Sequence, residues 1–181
     1  MVRTLTVILA ILLSRILAYS QNPVSHNVGV VLPELAILDI AQPDGSPDLH
    51  QGHHPSEVVQ QISLNGSLEH ECWVNYSSLV RGGKPNRKVV ASVGGVIPEG
   101  ISVAVEAADF SGNGKGKTGI SAGKKHLSEL PEEIISDIGS CYTGKGSSNG
   151  HLIRLTIEVD QAEVLASQFP VHLMVTYRIT D

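Results

Sequence analysis

Apolar residues alternate with polar or small ones along most of this chain, at the period of two that marks strands buried on one face. The clearest case is the last segment. There Val171, Leu173, Val175, Tyr177 and Ile179 point one way, and His172, Met174, Thr176, Arg178 and Thr180 the other. Ile153, Leu155, Ile157 and Val159 alternate in the same way, as do Ile101, Val103 and Val105, and Val58, Ile62 and Leu64. Further strands are expected over Val28 to Leu32, Leu35 to Ile40, Glu71 to Tyr76, Lys88 to Val93 and Glu132 to Ile138. Asp160 to Leu165 predicts one helical turn capped by Asp160.

Turn chemistry punctuates these runs. Asn65-Gly66 is a hairpin signal, because both residues tolerate positive φ. Gly82 to Asn86, Gly94-Gly95 and Gly144 to Gly150 read as turns or small loops. The polar stretch Gln42 to Pro55 reads as a loop or linker, and Ser111 to Lys125, rich in Gly and Lys, as a long exposed hairpin tip. Many short strands between such turns predict an all-β protein, an antiparallel two-sheet immunoglobulin-like sandwich. Helical periodicity is nearly absent, which argues against a doubly wound α/β fold.

The first residues change the picture of where this fold works. Arg3 precedes an apolar run from Leu5 to Leu13, and Ala18-Tyr19-Ser20 offers small residues before Gln21. That order predicts a secretory signal peptide over residues 1–20. A retained anchor is the alternative, but Ser14 and Arg15 interrupt the run short of the roughly 20 apolar residues a span needs. Residues 21–55 are then expected to carry N-terminal strands and the polar loop, and residues 56–181 the main body of a single sandwich domain, 21–181. Without Arg3 and Arg15, 11 Lys and Arg face 18 Asp and Glu, a net charge of −7. That excess of acid argues against nucleic acid and anionic membranes as partners. No membrane span is expected after the leader is removed.

Two cysteines, Cys72 and Cys141, lie beyond the leader. An oxidising compartment predicts that they bridge, and closing a loop of that length contributes roughly 4 kcal/mol in the chain-entropy model. Two free thiols are the alternative. Trp73, the only tryptophan, is expected to pack in the core on that bridge, with a sugar-stacking platform as the other reading.

Candidate chemistry is sparse. His50, His53 and His54 could hold zinc or copper with Asp48 or Glu57, although loop histidines are mostly unliganded. Gly112 to Thr118 misses the first glycine of a Walker loop, which falls on Ser111, and no helix start follows. Cys141 with His151 is a conceivable nucleophile and base, set against a bridged cysteine. Asn65-Gly66-Ser67 and Asn75-Tyr76-Ser77 match the glycosylation acceptor pattern. No enzymatic activity and no cofactor are expected. Asn113, Lys115, Lys117 and Thr118, in the Gly/Lys segment, are the expected contact loop.

Three segments carry a resemblance: Pro33 to Ile40, Ile138 to Gly144, and the terminal Val175-Thr176-Tyr177-Arg178-Ile179-Thr180-Asp181. With the leader, they resemble a family of uncharacterised exported bacterial β-sandwich proteins. The architecture and last strand also resemble fimbrial subunits of the spore-coat-U type. The second resemblance implies strand exchange between subunits, with Val28, Val30 and Leu32 as a donated face; the alternative is that this arm is the first strand of its own sandwich. The function expected is an exported structural or adhesive interaction module, secreted, periplasmic or at the cell surface, with a protein partner or self-association. A carbohydrate- or metal-binding extracellular module is the alternative.

Overall fold

The computed structural model describes residues 33–45, 50–64, 67–95, 97, 99–159 and 171–181. The expected leader, the arm from Val24 to Leu32, the Asn65-Gly66 turn and the helical turn at Asp160 lie outside them. All the described residues belong to one compact unit, Pro33–Asp181.

The protein is all-β. Its strands are β1 (Leu35–Ala41), β2 (His50–His54), β3 (Glu57–Leu64), β4 (Glu69–Leu79), β5 (Arg87–Gly94), β6 (Ile101–Ala107), β7 (Lys115–Ser121), β8 (Lys125–Leu127), β9 (Glu132–Tyr142), β10 (His151–Val159) and β11 (Val171–Thr180). Every ladder is antiparallel. The hydrogen-bonded order is β2-β3-β11-β5-β9-β4-β10-β6-β8, with β1 added on β4 and β7 on β9. The β9–β4 link is slight: only Ser77↔Tyr142 and Ser78↔Cys141 are in register.

Alternation does what its period requires. Leu173, Val175, Tyr177 and Ile179 of β11 are buried, while His172, Met174 and Arg178 are exposed. Ile153, Leu155 and Ile157 of β10, Val103 and Val105 of β6, and Val89, Ala91 and Val93 of β5 join them in one core. Each such Val, Leu or Ile side chain contributes about 1.5–3 kcal/mol through burial. Cys72 Sγ lies 3.8 Å from the Tyr177 hydroxyl, although β4 and β11 are not hydrogen-bonded neighbours.

Four expectations are corrected by this topology. The first is the disulfide: Cys72 and Cys141 are both free thiols. Cys141 is in register with Ser78, six residues along β4 from Cys72. Six residues of strand are about 20 Å, against a limit of about 7 Å between the Cα atoms of bridged cysteines. The second is Trp73. Its neighbours Cys72 and Val74 are fully buried, so it projects from the opposite face and is only partly covered. The third is the hairpin tip: Lys115–Ser121 forms β7, laddered to β9. The fourth is the polar stretch, which contains β2, an edge strand held to β3 by backbone pairing that needs no apolar face.

Arg87 fixes where β1 begins. Its buried guanidinium donates to the Leu35 carbonyl at 2.5 Å and the Leu79 carbonyl at 3.3 Å, and pairs with Asp181 at 3.0 Å. A planar, multi-donor fork suits this convergence of two carbonyls and a carboxylate better than a lysine would.

Candidate functional site

A cleft of about 300 Å³ opens where β1, β4 and the end of β9 meet. Register builds it. Ile37 pairs with Ser77, Ser77 with Tyr142, and Tyr142 with Lys115, so these four residues form one row on one face. Asp39 pairs with Asn75 in the next row, and Leu35 with Leu79 on the other side. The face keeps large apolar groups in water: Tyr142 is 53% exposed, Leu35 43% and Ile37 42%. Pro55 and Lys145 complete the walls.

The free edge of β1 is partly closed by the same residues. The Leu38 N–H donates to the Pro55 carbonyl at 2.8 Å, and the Ile40 N–H to Asp39 Oδ1 at 3.0 Å. Lys145 is carried on a loop pinned by Asn75. The Asn75 Nδ2 donates to the Asn149 carbonyl at 2.5 Å, and its Oδ1 accepts from the Gly146 N–H at 2.8 Å. Thr143 secures the loop's start, its Oγ1 accepting from the Tyr76 N–H at 2.8 Å. Asn75 is therefore a structural amide, 2% exposed, and not an open glycosylation acceptor.

Behind the cleft lies a buried polar peg. His151 is fully buried. Its Nδ1 lies 2.8 Å from the Ala108 carbonyl, to which it must donate, since a carbonyl only accepts. Its Nε2 lies 3.0 Å from both the Tyr76 hydroxyl and the Thr118 carbonyl. The Tyr76 hydroxyl donates to that same carbonyl. The Tyr76 and His151 rings stack at 5.9 Å, with Phe110 edge-on to the imidazole at 6.0 Å. Burial, and then the Cys141 sulfur, push the Tyr76 hydroxyl pKa far up. Burial raises the Cys141 thiol to about 11, against a smaller opposing effect of a backbone hydrogen bond from Ser78. Both ring nitrogens of His151 are engaged with these partners, and Cys141 stays protonated at neutral pH, so the pair is not poised as nucleophile and base.

The expected contact residues fall at different depths. The Asn113 N–H donates to Asn149 Oδ1 at 3.3 Å, and Thr118 gives its carbonyl to the peg. Lys117 pairs with Asp137 at 2.5 Å; that bond, and then one from Asn86, hold the Asp137 carboxyl below its ordinary pKa. Lys115 alone of the four adjoins the cleft row. Gly116 and Gly119 are required in β7. Both have positive φ, and a Cβ would strike the Ser140 carbonyl at Gly116 and the Ile138 and Ile135 side chains at Gly119. The glycines that read as loop material serve close strand packing.

His54 bonds Ser56 Oγ through Nδ1 at 2.7 Å, while the side chains of His50 and His53 lie outside the described ones. Among the described residues no group of three or more His, Cys, Asp or Glu could hold a metal ion. No helix among them is long and apolar enough to cross a membrane. Sequence reasoning missed Ile37, Asp39, Tyr142 and Lys145 as a site. The one signal available was that Tyr142 follows Cys141 directly, so a strand running past Ile138 to both would turn them to opposite faces. No family model, curated protein or solved structure matches the chain.

Proposed function

We propose that this chain is an exported two-sheet sandwich of immunoglobulin-like form that works as a surface contact module, in keeping with its resemblance to exported and fimbrial β-sandwich proteins. The slight β9–β4 link supports the two-sheet reading, because it divides the strand order into two nearly separate ladders. The Cys72–Tyr177 contact supports it too, since it joins strands that are not paired.

One observation carries the functional reading: Leu35, Ile37 and Tyr142 are left in water on a single face, around a ligand-sized cleft. Exposed apolar side chains gathered in one place mark contact surfaces, and tyrosine is enriched in them. The rigid ladder beneath pre-organises the face, so binding orders little chain. The test is attachment of the labelled secreted protein to its source cells, measured by flow cytometry. The wild type attaches, its chain beginning at Gln21 by mass spectrometry. The Ile37→Ser/Tyr142→Ser variant loses attachment about tenfold, roughly the worth of one well-packed anchor. Equal attachment by both proteins sinks the reading.

A further inference from the structure

The most exposed large apolar side chain among the described residues lies far from the cleft. Leu130, 73% exposed, sits on the turn between β8 and β9. That turn is firmly held. The Val93 N–H donates to the Ser128 carbonyl at 2.9 Å and the Leu130 N–H to Ser128 Oγ at 3.1 Å, and Pro131 restricts the backbone directly after. Leu130 is thus kept in water by a built turn, and covering it with a partner orders little chain. Glu129 and Glu132 stand on either side of it in the chain, and neither has an ion-pair partner among the described residues. Glu133, the next acid, is paired with Lys88 at 3.8 Å.

The cleft is the complement of this knob. Ile37 and Tyr142 give it exposed apolar walls. Lys145 lines it and Lys115 is in register with Tyr142. Among the described residues neither lysine has an ion-pair partner, whereas Lys117, Lys124, Arg154 and Arg178 each have one. Asp39 is the one acid of the lining, so two cations stand there against one carboxylate. An apolar cavity of about 150 Å³ takes a benzene molecule, which is bulkier than a leucine side chain, so a cleft of about 300 Å³ admits Leu130.

We infer that Leu130 of one copy plugs the Tyr142 cleft of the next, with Glu129 and Glu132 set against its Lys115 and Lys145. The inference rests on the contact reading above and names the partner, a second copy of this chain. Knob and cleft stand at opposite ends of β9, which runs from Glu132 to Tyr142 over roughly 30 Å, so no copy fills its own cleft. The two surfaces differ, so the contact is heterologous. Each joined copy still offers a knob at one end and a cleft at the other, and copies add head to tail. The contact is a plug and not an added strand, because the Leu38 N–H of β1 is already given to the Pro55 carbonyl. One apolar knob with two charge pairs belongs at the weak end of the interface range.

The test is sedimentation velocity of the secreted full chain at rising concentration, up to about 1 mM, where a millimolar contact shows. The mean mass of the wild type is expected to climb past the dimer without levelling. Leu130→Ser keeps the urea midpoint, since the side chain is largely in water, and weakens association about tenfold, as Ile37→Ser/Tyr142→Ser does. Mixed together, these two variants form a one-to-one dimer and stop, because one intact knob and one intact cleft remain. Glu129→Lys/Glu132→Lys and Lys115→Glu/Lys145→Glu are each monomeric alone and associate when mixed. A wild type that stays monomeric throughout overturns the inference. So does association undiminished in Leu130→Ser, or a pair of charge variants that do not rescue each other. If the wild type stays monomeric and Ile37→Ser/Tyr142→Ser still loses cell attachment, the contact reading survives with another occupant in the cleft. If that variant attaches as the wild type does, the contact reading fails on its own test, whatever sedimentation gives.

Discussion

The buried peg around His151 and the open face around Tyr142 hang on the same strand and treat their polar groups in opposite ways. In the peg, β4 sends Tyr76 inward, and its buried hydroxyl meets an imidazole and a carbonyl. On the face, β4 sends Ser77 outward beside a tyrosine and an isoleucine that stay wet. The peg takes the carbonyl of Thr118 and so fixes β7, a strand with almost no apolar face of its own. On the face, the Ile37 and Tyr142 side chains leave contact area in water. A polar cluster that is completely paired reads as scaffold, and an apolar cluster that is incompletely covered reads as site.

The comparison breaks most easily at the peg. His151→Ala removes two polar nitrogens and a stacked ring, leaving the Ala108 carbonyl short of a partner. A loss of about 3 kcal/mol is expected in urea melts, from cavity and desolvation together. Exchange of the β7 amides measured by NMR should rise with it. A loss no larger than that of Tyr142→Ala would remove the distinction.

Alkaline pH probes the inner side next. The Cys141 thiol is raised from 9.0 to about 11 by burial, so the folded chain holds this proton longer than the unfolded one. The resulting stability is complete below pH 9 and is lost as pH rises through about 11. The shift of the Tyr76 hydroxyl has the same sign. Stability by urea melts is therefore expected to fall between pH 9 and 11. Native protein at pH 7.5 should react slowly with iodoacetamide at Cys141 and not at all at Cys72, and unfolded protein should be alkylated at both without a reductant. Failure of the unfolded chain to alkylate before reduction would restore the bridge.

The smallest effect belongs to the face. Tyr142→Ala should shift stability by no more than about 0.5 kcal/mol, because the side chain is more than half in water and supports no other element. A larger loss in the same urea melts would make Tyr142 part of the scaffold.

Much of the strand inventory was legible, because alternation at a period of two is imposed by the pleat itself. The core residues of β6, β10 and β11 follow from it directly. The Gly/Lys segment was not legible as a strand, since β7 owes its conformation to the β9 backbone and to Tyr76 and His151, which lie far from it in the chain. Trp73 was misplaced although the same alternation bore on it: adjacent residues of a strand cannot both face the core, and Cys72 already did. Asp39, Tyr142 and Lys145 gave no collective signal, because they sit on a strand, a strand end and a loop separated by long stretches of sequence.

By itself the amino-acid order determined an all-β chain, the positions of most strands and which residues of each strand are apolar, because these are local properties of dihedral preference and side-chain transfer from water. Only the tertiary structure decided that Cys72 and Cys141 stand too far apart to bridge, that two glycines are needed for close strand contact, and that Ile37, Ser77, Tyr142 and Lys115 share a row. Those facts depend on register between distant strands, and register is a property of the assembled sheet that no single segment encodes.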